Sequence, residues 1–378
     1  MTARRVPPAW LDRRQLLAAG GALLTSCGAG ARLAPASDSR LDHLLAAHAG
    51  LLPERAGAGA NHYPMAAEVL AALGYEREID DAWVDGAALY AGELGRARPI
   101  VDEADVSAAL GRYGRFGDWL DHFRAALARE PWRAVVGHWA PRLAPAMCAA
   151  AYHGVIRTGH AVRALGQHDT AARRDELATG LAYWAARYVE LPTNERAVGR
   201  EPRLGETLAR LSSPWVDDRG DVAFDAVVER LVARPLAPPV ELAETGAAPA
   251  TDLDELVREA ATAFLEMLVL ERNRIWLLHT VTGPAAVGWL LPEVDPRGAR
   301  RLVEYARQSV VAMYAAYGEP FDARAHLRGS PGAWPELIQR AVDSRSVHGI
   351  KLIDALHRFD RGSDPLWRSV AARWFEWT

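Results

Sequence analysis

The stretch PMAAEVLAALG, Pro64 to Gly74, decides the fold class. Proline suits a first helical turn, alanine, leucine and glutamate carry the interior, and the closing glycine accepts a left-handed cap. The same recurrence of apolar side chains at three- and four-residue spacing continues outward. It runs through FGDWLDHFRAALARE, AMCAAAYHGVIRTGHAVRALG, RDELATGLAYWAARYVEL, LDELVREAATAFLEMLVLERNRIWLLHTVTG, ARRLVEYARQSVVAMYAAYG and HGIKLIDALHRF, with hardly any strand-like alternation. The expectation is an all-α chain with a single large helical domain over residues 37–378. The run ARPLAPPVELAETGAAPATD, Ala233 to Asp252, interrupts the helical period and separates N- and C-terminal helical halves. Residues with chemical potential occur on both sides of it, so the active site is expected between the halves.

At 378 residues, half of them hydrophobic, the chain can bury a substantial core. A net charge of −4 supplies no basic stripe for nucleic acid and directs attention to a small-molecule ligand. The segment LDRRQLLAAGGALLTSC resembles a twin-arginine export signal at Arg13-Arg14 running into a lipobox that ends at Cys27. Residues 1–36 are therefore expected to be signal and tether. The protein would then be exported to the periplasm or cell surface, with membrane contact only through a lipid on Cys27; a cytoplasmic chain with an ordinary N-terminal helix is the alternative. The other cysteine, Cys148, leaves no disulfide framework and reads as a buried inert thiol.

The glycine-rich phosphate loop, the dinucleotide fingerprint, the nucleophile elbow and C-x-x-C are all missing from the sequence, which leaves histidine. Of twelve histidines, five sit in apolar helical settings or at a helix entrance: His62, His153, His160, His279 and His348. His348 and Lys351, three apart, share a helical face and can reach one point. His153 and His160, seven apart, are separated by roughly 10.5 Å along a helix axis, too far for both to hold one ion directly. One of the two is expected to be a ligand with the other behind it; His153 is favoured as ligand, with His160 orienting substrate or bound oxygen. Arg157 shares their face, either as a functional cation or as a partner for an acidic residue.

Lys351 is the one lysine among 44 basic residues. A buried amine beside imidazoles and an ion is driven neutral. A neutral amine can take up carbon dioxide to give a carbamate, an anionic oxygen ligand, whereas a guanidinium stays protonated and cannot.

The segments NHYPMAAEVLAALG (Asn61 to Gly74), HGVIRTGHAVRAL (His153 to Leu165), LLHTVTGPAA (Leu277 to Ala286) and HGIKLIDA (His348 to Ala355), in this order, resemble the questin oxidase-like family of fungal and bacterial proteins. The resemblance extends over about residues 40 to 370. It implies an oxygenase that opens a ring of anthraquinone-type aromatics, a step described as Baeyer–Villiger-like with NADPH. In one branch it implies non-haem Fe(II) held by four histidines and a carboxylated lysine. Carried onto this chain, the ligand set is His62, one of His153 and His160, His279, His348 and carboxylated Lys351, with one position left for dioxygen. Ligand type alone also admits manganese or zinc. Trp119, Trp132, Trp139, Trp184, Trp276 and Trp289 either wall an aromatic pocket or belong to the core. The rival readings are an NADPH-dependent monooxygenase of the same family, a carbamylated-lysine metal hydrolase drawing on Asp354 as a further ligand, and a lipoprotein that binds an aromatic without turnover.

Overall fold

A computed structural model describes residues 39–56, 59–191, 204–209, 252–269, 274–318, 331–362 and 364–376. The export-like leader with Cys27, and the interrupting run apart from Asp252, lie outside the described residues. Helices of eight residues or more are α1 (Arg40–Ala47), α2 (Tyr63–Ala72), α3 (Phe116–Arg129), α4 (Trp132–Leu143), α5 (His153–Gln167), α6 (Ala171–Ala186), α7 (Leu253–Val269), α8 (His279–Leu290), α9 (Pro296–Tyr317), α10 (Trp334–Ser344), α11 (Val347–Phe359) and α12 (Leu366–Phe375). A two-stranded antiparallel ribbon, β1 (Glu54–Arg55) with β2 (Gly59–Ala60), is the sheet among the described residues. The chain is all-α, and the described residues belong to one compact unit, Ala36–Thr378. Among the described residues no helix is long and apolar enough to cross a membrane.

Helix α2 has Pro64 in its first turn and is followed by Gly74 at φ +85°, as its spacing predicts. Helix α8 carries no charged side chain and is buried through most of its length, so it is a central helix packed on all sides. It lies against α5 and α11, and α2 lies against the same two, which closes α2, α5, α8 and α11 into a ring of four helices. Two come from each half of the chain. Trp119, Trp132, Trp139 and Trp184 are buried in the core, while Trp276 and Trp289 pack partly buried at its edge.

The periodicity from Ala146 to Gly166 predicts one continuous helix, and the structure breaks it. Ala150, Ala151 and Tyr152 take φ values of 48°, 52° and 64°, left-handed backbone that costs a residue bearing a Cβ roughly 1–2 kcal/mol each. Packing overrides propensity here: Tyr152 is fully buried, and its ring fills the space that a side chain on Gly283 of α8 would need. The turn redirects the chain so that α5 begins at His153.

A Cβ at position 283 would come within 2.4 Å of the Tyr152 ring. Gly283→Ala is therefore expected to lower unfolding free energy by about 1–3 kcal/mol, the usual cost of overpacking. Urea denaturation checks this, and an unchanged midpoint would contradict the packing.

Candidate functional site

The four helices of the ring begin at one place. His62 immediately precedes α2, His153 and His279 are the first residues of α5 and α8, and His348 is the second residue of α11. Helices α5 and α8 approach closely because Gly159 lacks a side chain: a Cβ there would come within 2.7 Å of the Ala286 carbonyl. That contact lies at similar depth in both helices, so their first residues are level. The imidazole centroids of His153 and His279 are 4.7 Å apart. His62 stands 4.7 Å from His153, 4.3 Å from His348 and 6.4 Å from His279, and His279 stands 5.5 Å from His348.

Lys351, one turn along α11 from His348, joins this group. It is 1% exposed, and its Nζ donates to Nδ1 of His62 at 2.7 Å. Burial lowers its pKa to about 7, so near neutral pH a large fraction is free amine. Burial, reinforced by the positive charge of the ammonium form of Lys351, lowers His279 to about 3 and His348 to about 2. His62 and His153 are also well below the ordinary imidazole value, with burial the largest cause. Helices α2 and α5 start without a side-chain cap, and the positive potential of their first turns acts in the same direction; α8 follows directly on the helical turn Arg274–Leu277, whose Ile275 and Trp276 carbonyls partly oppose the lowering at His279. The rings are held uncharged.

Uncharged imidazoles are the form that binds a metal, and one buried ring nitrogen, Nε2 of His153, lacks any hydrogen-bond partner, while the His279 ring has only the Ile275 and Trp276 carbonyls of the preceding turn near it. His153 donates its Nδ1 hydrogen to the Ala150 carbonyl in the left-handed turn, which leaves the lone pair on Nε2. Donor nitrogens sit about 2.0–2.1 Å from an ion, which puts neighbouring rings about 4.5 Å apart and opposite rings about 6.5 Å apart. Three neighbour separations and the His62–His279 distance follow that pattern, with His62 and His279 opposite, while His279 and His348 stand wider than neighbours would. The rings are gathered at ligand spacing, but their nitrogens are not converged: among the described residues no three His, Cys, Asp or Glu donors form a ready metal-holding group.

His160 and Arg157 are placed elsewhere. His160 donates from Nδ1 to Glu68 Oε2 at 2.7 Å, and Arg157 forms a buried two-point pair with Glu176 at 2.6 and 2.7 Å. Of the two α5 histidines, His153 is the one in the ring cluster. Asp354, which the hydrolytic reading requires as a ligand, accepts from Arg163 Nη1 at 2.7 Å. Sequence reasoning missed His48: its Nε2 donates to the Trp83 carbonyl at 2.8 Å, and its Nδ1 accepts from Asn61 at 2.9 Å, bracing the residue next to His62. Asn61 serves as that brace and not as a helix cap. No sequence spacing signals either the His48 link or the left-handed turn.

Fold and site together define an all-helical protein with an internal four-imidazole, one-lysine cluster at converging helix starts. The sequence model of the Questin oxidase-like family matches residues 60–356, so the chain belongs to that family, a group of oxidoreductases of the oxidase or oxygenase kind. No curated protein matches the chain at a significant level.

The lowered imidazole pKa values give the acid response a sign. Between about 3 and 6.5 the unfolded chain protonates His279 and the folded chain does not, so stability is lost as pH falls below 6.5. In metal-free protein at pH 5, His279→Asn should reduce the slope of unfolding free energy against pH by ~1.4 kcal/mol per unit, one proton's worth. An unchanged slope would show that the ring titrates normally in the folded state.

Proposed function

We propose that this chain is an Fe(II)-dependent oxygenase that oxidises and cleaves a ring of a polycyclic, anthraquinone-like aromatic. The ion would be held by His62, His153, His279, His348 and carboxylated Lys351. The observation that carries this reading is the gathering of four neutral imidazoles, with His153 Nε2 unpartnered, around the chain's single, buried lysine. Family membership supports oxidative over hydrolytic chemistry, and Asp354, the further ligand of the hydrolytic reading, is paired with Arg163.

Lys351 prepares the set. Its amine lone pair attacks carbon dioxide, a nitrogen–carbon bond forms, one carbon–oxygen π bond breaks, and the electron pair settles on oxygen as the carbamate charge. One proton leaves Nζ, for which His62 Nδ1, at 2.7 Å, is the adjacent acceptor. Converging positive helix ends favour the new anion. His153, oriented by the Ala150 carbonyl, presents Nε2. A ferrous ion bound there would supply the dioxygen chemistry that these side chains lack. Trp276, three residues before His279, stacks on Tyr317 at 5.1 Å and 6° and offers a flat apolar wall for a planar substrate.

Anaerobic purification with elemental analysis, followed by oxygen consumption with a dihydroxyanthraquinone, tests the reading. One ion per chain and substrate-dependent oxygen uptake are expected. Intact mass should show one added carbon dioxide in wild type and none in Lys351→Arg. Lys351→Arg and His279→Ala should each lose at least ~100-fold in turnover, the upper end of what residues behind the ligands cost. Full activity in Lys351→Arg, or oxygen uptake without metal, would overturn the proposal.

A further inference from the structure

Beneath the imidazole layer lies a second buried group. Arg163 of α5 donates from Nε to Glu68 Oε1 at 2.6 Å and from Nη2 to Glu68 Oε2 at 2.5 Å, and its Nη1 donates to Asp354 Oδ1 at 2.7 Å. Glu68 belongs to α2 and Asp354 to α11. The guanidinium also lies over the ring of Trp289 on α8, at 5.0 Å, and Arg358 of α11 lies over the same ring at 4.4 Å. Arg163, Glu68 and Asp354 are each less than a tenth exposed. One guanidinium therefore touches a residue of each of the other three helices in the ring. These are the four helices whose first residues supply His62, His153, His279 and His348.

A planar fork with fixed donor directions holds two carboxylates at a defined separation, which a flexible ammonium does not. Helices are stiff over this distance, so sliding α2 or α11 against α5 at the level of Arg163 moves their first residues by the same amount. Both carboxylates stay ionised: burial opposes this, but Arg163 holds Glu68 and Asp354 below their ordinary values.

We propose that Arg163 is a positioning residue that, through Glu68, Asp354 and Trp289, sets the spacing of the four imidazoles and Lys351 one layer away. The consequence for ion affinity rests on the reading of those side chains as a single metal site. The positioning itself does not.

The test compares Arg163→Lys, which keeps the charge and loses the fork, with Arg173→Lys. Arg173 is an equally buried fork between Asp42 and the Ala164 carbonyl and makes no bond to α2, α8 or α11. Two readouts are taken on full-length protein of each variant that keeps its helical circular dichroism: Co(II) affinity with its visible spectrum, and the imidazole ¹⁵N resonances of the metal-free protein. Arg163→Lys should weaken Co(II) binding at least tenfold, alter its visible bands and shift the four ring resonances together, while Arg173→Lys lowers thermal stability without either change. If wild type takes no Co(II) but the resonances shift in Arg163→Lys alone, the positioning role stands and the metal reading fails. If the resonances are unmoved in Arg163→Lys, or move equally in Arg173→Lys, the proposal is overturned. Should Arg163→Lys fail to fold, Asp354→Asn, which keeps a hydrogen-bond acceptor for Arg163, is read by the same two measurements and standards.

Discussion

Four helices cannot begin at one buried point without an electrostatic consequence. Helices α2 and α5 bring positive ends without a side-chain cap, and α11 brings one capped by Ser346, while α8 follows on the helical turn Arg274–Leu277. Any further positive charge there is opposed, so the imidazoles and the lysine are held largely uncharged, with burial as the largest cause. Neutral imidazoles, a neutral amine and a place that favours anions are the conditions under which nitrogen donors and a carbamate suit a cation. The chemistry proposed for the site is thus continuous with the packing that forms it.

The rest of the fold can be read as the means of bringing those starts together. Gly159 admits α8 against α5, and the left-handed Ala150–Tyr152 turn resets the chain so that His153 opens its helix. Strain of this kind persists only where surrounding structure overdetermines it, and here the buried Tyr152 ring against Gly283 does so. The Ala150 carbonyl, at the head of that turn, also fixes which nitrogen of His153 carries the lone pair. His48 performs a comparable service one residue away from His62, through Asn61.

Much of this was legible in the sequence because helical period and helix signals are local. Pro64 and Gly74 mark α2 correctly, and the three-residue spacing of His348 and Lys351 places both beside His62. The interruption of the Ala146–Gly166 run was not legible: alanines favour a helix, and the cause of the break is a contact between Tyr152 and a glycine 131 residues further on. The partner of His160 was not legible for a related reason. A histidine on a helical face can serve a carboxylate as readily as an ion, and Glu68, which accepts from it, lies 92 residues earlier. Arg157 likewise shares a face with His153, yet its fork is taken up by Glu176.

X-ray absorption at the iron edge of anaerobically loaded protein bears most directly on whether these five side chains share one ion. Multiple scattering from four imidazoles with one light oxygen donor from Lys351, and no second metal, is the predicted spectrum. A shell with two or fewer imidazoles, or a metal–metal vector, would contradict it.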